Sequence, residues 1–388
     1  MGCREWKKVR FGEACYINKN TYSKSDNWAF VNYLDTGNIT ENRIDSIQYF
    51  DTAKEKLPSR AKRKVSSNDI IFSTVRPNQK HYGIIKKPVK NMLVSTGFAV
   101  ITAKPSLADS RFLYYYLTQE HIVNFLHMIG EHSTSAYPSI KPSDIEGLEI
   151  MLPTLIEQKF IAKTLSCLDE KIELNNRINK ILEEIAQAVF KSWFVDFEPF
   201  QDGEFEDSGL GRIPKGWHGG VLSDLITVKY GKDHKKLAEG SIPVYGSGGI
   251  MRYVNKPLCT SESVLIPRKG TLNNIMYVNE PFWSVDTMFF SEMKYPNCAK
   301  YVYFLLKNKD LQLMNTGSAV PSMTTEILNS LPVIIPPNEV IRQFDETVTS
   351  MFFHMQANYK ENTVLSKLRD TLLPKLISGK IRVPIEEV

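Results

Sequence analysis

The stretch IAKTLSCLDEKIELNNRINKILEEIAQAVFKSW, residues 161–193, repeats an apolar side chain in alternating steps of four and three. The series runs Ile161, Leu165, Leu168, Ile172, then Asn175 and Asn179, then Leu182, Ala186, Val189 and Trp193. A mean step of about 3.5 residues is the period of a coiled-coil seam. Pro153 precedes the run, Pro199 follows it, and no proline interrupts it. A second stretch, FDETVTSMFFHMQANYKENTVLSKLRDTLLPKL, residues 344–376, carries the same series 183 positions further on. There the seam reads Phe344, Val348, Met351, Met355, Asn358, Asn362, Leu365, Arg369, Leu372 and Leu376, with the two asparagines at the same place. This second helix begins after Pro337 and is expected to stop near Pro374 and Gly379.

Two unrelated amphipathic helices, each packed on its own domain, would also show a periodic apolar face. The shared seam favours pairing of the two helices instead. Antiparallel pairing sets Asn175 opposite Asn362 and Asn179 opposite Asn358. A buried asparagine must find a partner, so such a layer fixes register at some cost in stability. Ile161 to Trp193 spans roughly 50 Å of helix at about 1.5 Å per residue, which would make the pair a spacer of set length.

The offset of 183 extends beyond the helices. Ser135-Ala136-Tyr137-Pro138-Ser139-Ile140 answers Ser318-Ala319-Val320-Pro321-Ser322-Met323, Leu148 answers Leu331, and Pro153 answers Pro336. Upstream the match is looser: Trp6 with Phe11-Gly12-Glu13 answers Trp217 with Leu222-Ser223-Asp224, and Phe112-Leu113-Tyr114-Tyr115-Tyr116-Leu117 answers Tyr301-Val302-Tyr303-Phe304-Leu305-Leu306. A chain duplicated in this way is best understood through its repeat. It divides into a head over 1–153, a long helix over 154–200, a second head over 201–337, and a second long helix with its tail over 338–380. The fold class is mixed α/β (α+β): two globular heads separated by two long antiparallel coiled-coil helices, with an internal pseudo-twofold repeat.

The 388 residues, 42% hydrophobic and 23% charged, describe a folded chain of two or three domains. No run reaches the roughly 18 apolar residues of a membrane helix, and MGCREWKKVRF has no apolar signal core. The five cysteines, Cys3, Cys15, Cys167, Cys259 and Cys298, form no CxxC pair and lie away from histidines at ligand spacing. A disulfide scaffold and a metal site are not indicated, and a reducing cytoplasm fits. The net charge of +5 is uneven: residues 1–154 carry +6, 155–204 carry −4, 205–337 carry +3, and 338–388 are neutral. Two basic heads on a non-basic spacer suit a polyanion held at two points, although an excess of this size also occurs as ordinary surface variation.

Within the heads, strands are expected at Asp69-Ile70-Ile71-Phe72, Phe98-Ala99-Val100-Ile101, Ser263-Val264-Leu265-Ile266 and Leu331-Pro332-Val333-Ile334-Ile335. Helices are expected over 110–126, with Phe112, Leu113, Tyr115 and Tyr116 inward, and over 299–314. A polar, basic loop follows a strand in each head. The first holds Thr74, Arg76, Asn78, Lys80 and His81; the second holds Arg268, Lys269, Asn273 and Asn274. Arg, Asn and Gln read base edges through paired hydrogen bonds; a solvated hairpin is the plain alternative. The basic runs around Arg60 and Arg63, and around Lys232 and Lys235, suit phosphate contact or a solvated face. Gly246, Gly248 and Gly249 do not form GxGxxG and read as turn glycines. Ser135 and Ser318 lack a matched histidine and read as structural.

No Walker loop, methyltransferase glycine loop, Asn/Asp-Pro-Pro-aromatic tetrad or nuclease Asp…Glu-x-Lys set is present; Asn279-Glu280-Pro281-Phe282 is the closest string to the tetrad. The residues describe a binder without a catalytic centre. A self-contained enzyme fragment is disfavoured by the missing cofactor loop, and a non-catalytic scaffold with duplicated heads remains the alternative.

The chain resembles, over essentially its whole length, the specificity subunits of type I restriction-modification systems. The resemblance rests on Trp6 with Phe11-Gly12-Glu13 and its copy at Trp217, on Leu152-Pro153 with Glu157-Gln158, and on two helix-end strings. These are Phe190-Lys191-Ser192-Trp193-Phe194-Val195-Asp196-Phe197-Glu198-Pro199 and Leu373-Pro374-Lys375-Leu376-Ile377-Ser378-Gly379-Lys380-Ile381-Arg382-Val383; the second copy departs at Val340-Ile341. The resemblance implies that each head is a target-recognition domain reading half of a split double-stranded DNA site. It also implies that the helices set the gap and dock two methyltransferase (modification) subunits, which recruit restriction subunits. S-adenosylmethionine, ATP and Mg would sit on those partners and none on this chain. The aromatic helix end, Trp193, Phe194 and Phe197, would be partner surface, or would pack on the adjoining head.

Overall fold

Asp69–Ser73 and Phe98–Ala103 are nearly continuous apolar runs because their sheet is covered on both faces. Ile70, Phe72, Ala99 and Ile101 join one core, whereas Ile71, Phe98 and Val100 join another. The second half of the chain repeats the device: Val264, Ile266 and Phe289 enter one core, and Leu265, Met288 and Phe290 the other. In this computed structural model, which describes residues 6–133, 137–315 and 321–383, the chain forms two units. The first comprises Met1–Asn175 with Lys360–Val388, and the second Asn176–Tyr359. Each unit therefore takes part of both long helices.

In the first unit, Lys7–Arg10 pairs antiparallel with Glu149–Leu152 and ties the opening of the head to its end. An antiparallel sheet follows in the order Cys15–Ile17, Phe98–Ala103, Asp69–Ser73, Tyr82–Ile85. A second four-stranded sheet has the order Gln48–Asp51, Phe30–Leu34, Met92–Ser95, Ala61–Lys64, with its two middle strands parallel. The sequence predicts one helix over 110–126; the structure has two, Ser110–Leu117 and Glu120–Glu131. The break falls where the Thr118 hydroxyl donates to the Tyr114 carbonyl (3.0 Å) and Gln119 takes an extended backbone. Phe112 to Leu117 are all buried.

The second unit repeats the plan. His218–Val221 pairs with Pro332–Ile335. The four-stranded sheet runs Ile226–Tyr230, Met288–Met293, Ser263–Pro267, Met276–Val278. The smaller sheet runs Gly249–Val254, Glu239–Gly246, Trp283–Ser284. The helix expected over 299–314 is α-helical only over Ala299–Lys307. A 3-10 turn at Leu311–Met314 follows, capped by Asp310 accepting from the Gln312 amide.

The long helices run Leu155–Phe194 and Asn338–Ile377, 40 residues each. The first starts in a capping box: Thr154 N–H donates to Glu157 Oε2 (3.2 Å), and Glu157 N–H donates to Thr154 Oγ1 (3.3 Å). The second passes through Pro374 for one last turn, so the proline is not its stop. The terminator is Gly379, at φ +72°, where a Cβ would press on the Trp6 ring at about 3.3–3.4 Å. Trp6 also stacks under Arg382 (4.7 Å) and donates to Glu157 Oε1 (3.5 Å), which accepts from Arg382 Nη1 (3.0 Å). The seam residues Ile161 and Leu165 belong to the core of the first unit. Ala186, Phe344, Val348 and Met355 belong to that of the second. Among the described residues no helix is long and apolar enough to cross a membrane.

Candidate nucleic-acid interface

In the first unit the loop leaves its strand at Ser73 and is strapped by the segment that closes the head. The Ile140 amide donates to the Thr74 carbonyl (2.8 Å), Val75 bridges Ser139, and the Arg76 amide donates to the Pro138 carbonyl (2.8 Å). This strap turns Arg76 into the left-handed region, φ +47°, and lays its guanidinium 4.7 Å from the centre of the Tyr137 ring. The Thr74 hydroxyl is turned inward, donating to the Gly97 carbonyl (2.9 Å). Asn78 is exposed on the 3-10 turn Pro77–Gln79. Lys80 is exposed but paired with Glu41 (2.8 Å). His81 lies 2.6 Å through Nδ1 from the Ile39 carbonyl and 3.4 Å from the Thr40 hydroxyl, so its imidazole closes the fold locally.

In the second unit the same strap recurs. The Met323 amide donates to the Arg268 carbonyl (2.9 Å), Lys269 bridges Ser322, and the Gly270 amide donates to the Pro321 carbonyl (3.0 Å). The two loops therefore correspond as Thr74 with Arg268, Val75 with Lys269, and Arg76 with Gly270. Gly270 shares the positive φ of Arg76, at +88°. The two arginines thus come from different steps of one framework. Arg268 reaches its platform by another route: its guanidinium lies 5.4 Å from the Tyr230 ring, and Nη1 donates to the Asp286 carbonyl (3.1 Å). Lys269 is exposed. Asn273 donates to Asp310 Oδ1 (3.0 Å) and Asn274 to the Ser247 carbonyl (2.7 Å), so both amides shape the loop.

The residues of the basic runs differ in exposure. Arg60 is exposed; Arg63 is half-buried, with Nη1 against Thr21 Oγ1 (3.5 Å) and Nε shielded from solvent. Lys232 and Lys235 are exposed. The backbone there is set by the Trp283 indole donating to the Lys232 carbonyl (2.8 Å) and by the Lys235 amide donating to Asp233 (3.0 Å). That amide bond holds the Asp233 carboxyl below its ordinary range.

Each unit holds one asparagine pair. In the first, Asn175 Nδ2 donates to Asn362 Oδ1 (2.9 Å) and Glu361 Oε2 (2.7 Å), and its Oδ1 accepts from Lys171 (2.9 Å). In the second, Asn358 Nδ2 donates to Asn179 Oδ1 (2.7 Å), whose Nδ2 donates to the Met355 carbonyl (3.3 Å). Arg369, the charged residue in the seam, is received by Asp169 (2.8 Å).

The aromatic helix end is not an exposed surface. Phe194 is buried, 4.8 Å from the Tyr301 ring and 5.0 Å from Phe344; Trp193 packs on Phe344, and Phe197 on Trp217 (5.5 Å). Their own head supplies the apolar cover a helix end needs. Ser135 and Ser318 lie outside the described residues. Sequence reasoning passed over Tyr137 and Tyr230, the ring platforms. Tyr137 lies beside the repeated proline, which is the signal that points to it.

The sequence matches the family model described as the type I restriction modification DNA specificity domain at residues 4–184 and 214–348. It is 24% identical to the type I restriction enzyme HindI specificity subunit of Haemophilus influenzae, covering 97% of this chain and 100% of that one. It is 28% identical to the type I restriction enzyme MjaIX specificity subunit of Methanocaldococcus jannaschii, covering 85% of this chain and 81% of that one. A crystal structure of a type I restriction-modification system S subunit from M. genitalium superposes with a TM-score of 0.59 at 18% identity, covering 98% of this chain and 97% of that one; it shows a shared fold.

Proposed function

The chain belongs to the type I restriction-modification DNA specificity family, and on that premise we propose that each unit reads one half of a split double-stranded DNA site. It is a specificity subunit, non-catalytic on its own. The observation that carries the two-reader proposal is that, in each unit, the strapped loop bears an arginine lying over a tyrosine ring. A guanidinium held by a ring keeps its fork in one plane, the arrangement that suits a guanine edge. Asn78 and Lys269 on these loops, and Arg60, Lys232 and Lys235 on the basic runs, are exposed and suit phosphate.

The partners follow from the same premise. Methyltransferase subunits dock on the outer faces of the long helices, where apolar side chains stay exposed: Ile178, Ile181, Ile185 and Phe353 in the second unit, and Leu174, Val364 and Leu368 in the first. The 3-4 spacing of Ile178, Ile181 and Ile185 suits a partner helix, and this face replaces Trp193, Phe194 and Phe197 as the docking surface. Restriction subunits join through the methyltransferases. S-adenosylmethionine, ATP and Mg belong to those partners, and the complex works in the cytoplasm.

Anisotropy titration of the chain in complex with its methyltransferase tests the reading. Specific DNA is expected to bind with a steep salt dependence, and Lys269→Ala to lower the salt slope by about one. Binding indifferent to both salt and sequence would favour a scaffold.

A further inference from the structure

The second unit carries an apolar cluster on its surface that its core does not use. Gly249–Val254 is the edge strand of the smaller sheet, and Ile250, Met251 and Tyr253 are exposed by 50%, 60% and 44%. Its inward residue Val254 and Val244 on the neighbouring strand are fully buried, so the strand is anchored while these three side chains face out. Tyr245 pairs with Ile250 and Val244 with Arg252, which leaves Met251 as the extra residue of a β-bulge. A bulge re-aims a side chain and tightens the local twist. Here the Met251 thioether is turned across Gly246: a Cβ there would meet its sulfur at 2.5 Å. A two-residue turn, Ser247-Gly248, joins the strands between Gly246 and Gly249.

This ribbon is fastened to both basic segments of its unit. Asn274 donates to the Ser247 carbonyl at the tip (2.7 Å), which ties the ribbon to the loop bearing Arg268 and Lys269. Arg252 Nη2 donates to the Leu237 carbonyl (2.9 Å), which ties its other side to the run bearing Lys232, Lys235 and Lys236. The two flanking segments thus hold five Lys and Arg residues against Asp233 alone. An apolar strip between two cationic segments matches a ligand that is anionic on its rims and carries apolar groups between them. Duplex DNA is that ligand: its phosphates line the groove, and the thymine 5-methyl is the apolar group on the major-groove edge. A two-stranded β-ribbon fits that groove.

We propose that the ribbon of the second unit is a base-reading element in which Ile250 and Met251 contact thymine 5-methyl groups in the major groove. This rests on the DNA-recognition reading above and extends it from arginine forks to apolar readout.

The test uses the full chain in complex with its methyltransferase. Methylation mapping supplies the split site, and Arg268→Ala identifies the half read by the second unit. Each thymine of that half is replaced in turn by deoxyuridine, which deletes only the methyl group. At least one replacement is expected to weaken binding about fourfold, the equivalent of one buried methyl. Ile250→Ala or Met251→Ala is expected to erase the difference between thymine and uracil there. Both side chains are exposed, and retained discrimination at the other base pairs of the same half-site reports that the second unit of each variant folds. A half-site without thymine, indifference to uracil, or undiminished methyl sensitivity in both variants would overturn the proposal. So would variants that bind DNA normally but no longer join the methyltransferase, which would make the strip a protein-docking surface. If no version of the chain directs a split site, the DNA-recognition reading itself has failed, and the two failures are distinct.

Discussion

Replacing Asn179 by leucine separates the cost of a polar pair from its purpose. Asn179 is 4% exposed, its oxygen accepts from Asn358 Nδ2 (2.7 Å), and its own amide reaches the Met355 carbonyl (3.3 Å). In Asn179→Leu the Asn358 amide loses its acceptor. Asn358 is half-buried, so the cost falls at the low end of the range for an unsatisfied group, about 1 kcal/mol, beyond the lost hydrogen bond of about 1 kcal/mol. The new leucine returns about 1 kcal/mol by burying apolar surface, leaving a net loss of about 1 kcal/mol. Asn358→Leu strands Asn179 in the same way and is expected to cost as much or more. The double variant strands neither partner and presents an apolar layer. It is expected to match or exceed the parent, giving a coupling of about 2 kcal/mol. Urea denaturation followed by tryptophan fluorescence reads this out, because Trp193, Trp217 and Trp283 all lie in the second unit. If the two single costs simply add in the double variant, the asparagines do not act as a pair and the register argument fails.

Other consequences are as direct. Arg76→Ala is expected to weaken recognition of one half-site and Arg268→Ala the other, measured on duplexes altered in one half at a time; equal loss at both halves from either change would contradict separate readers. Arg76→Gly is expected to weaken the same half-site as Arg76→Ala while raising stability by up to about 1 kcal/mol, because φ +47° is strained for arginine and natural for the glycine at the matching position, Gly270; an unchanged melting temperature would refute the strain. Arg382→Ala is expected to destabilise the first unit by about 1–2 kcal/mol, since the nearly buried Glu157 loses its cation, the exposed arginine end moderating the cost. Burial pushes the Glu183 carboxyl up, but hydrogen bonds from Lys307 and Tyr303 outweigh it and hold its pKa below 4.5. Its folded pKa being the lower one, its contribution is present above the unfolded value and is lost as pH falls through the folded one. Glu183→Gln is therefore expected to flatten the acid limb of the stability profile below about pH 4.5, and an unchanged limb would exclude this residue as its source.

The seam could be read from the sequence because a 3.5-residue period has few other causes. The asparagines were legible because both copies interrupt the seam at the same step. Asp69–Ser73 and Ser263–Pro267 stood out because burial on two faces leaves an unbroken apolar run. The loops were harder. Those two strands lie 194 positions apart, whereas the straps that fix the loops lie 183 apart. Only the hydrogen bonds reveal that Arg76 stands where the second copy has Gly270. His81, Asn273 and Asn274 have the composition of base readers, yet local carbonyl or carboxylate partners account for them. Trp193, Phe194 and Phe197 could have met a partner or their own head; periodicity does not distinguish the two, and packing does. Ile250 and Met251 carry no sequence pattern that singles them out, because the bulge beside them is invisible there.

The most direct test of the central claim is a long-read methylome of cells expressing this chain together with its methyltransferase. Methyladenine at one split motif, present only when both genes are expressed, is the expected result, with Arg76→Ala and Arg268→Ala altering different halves. An active methyltransferase that marks the same sites with and without this chain would contradict its role as the reader.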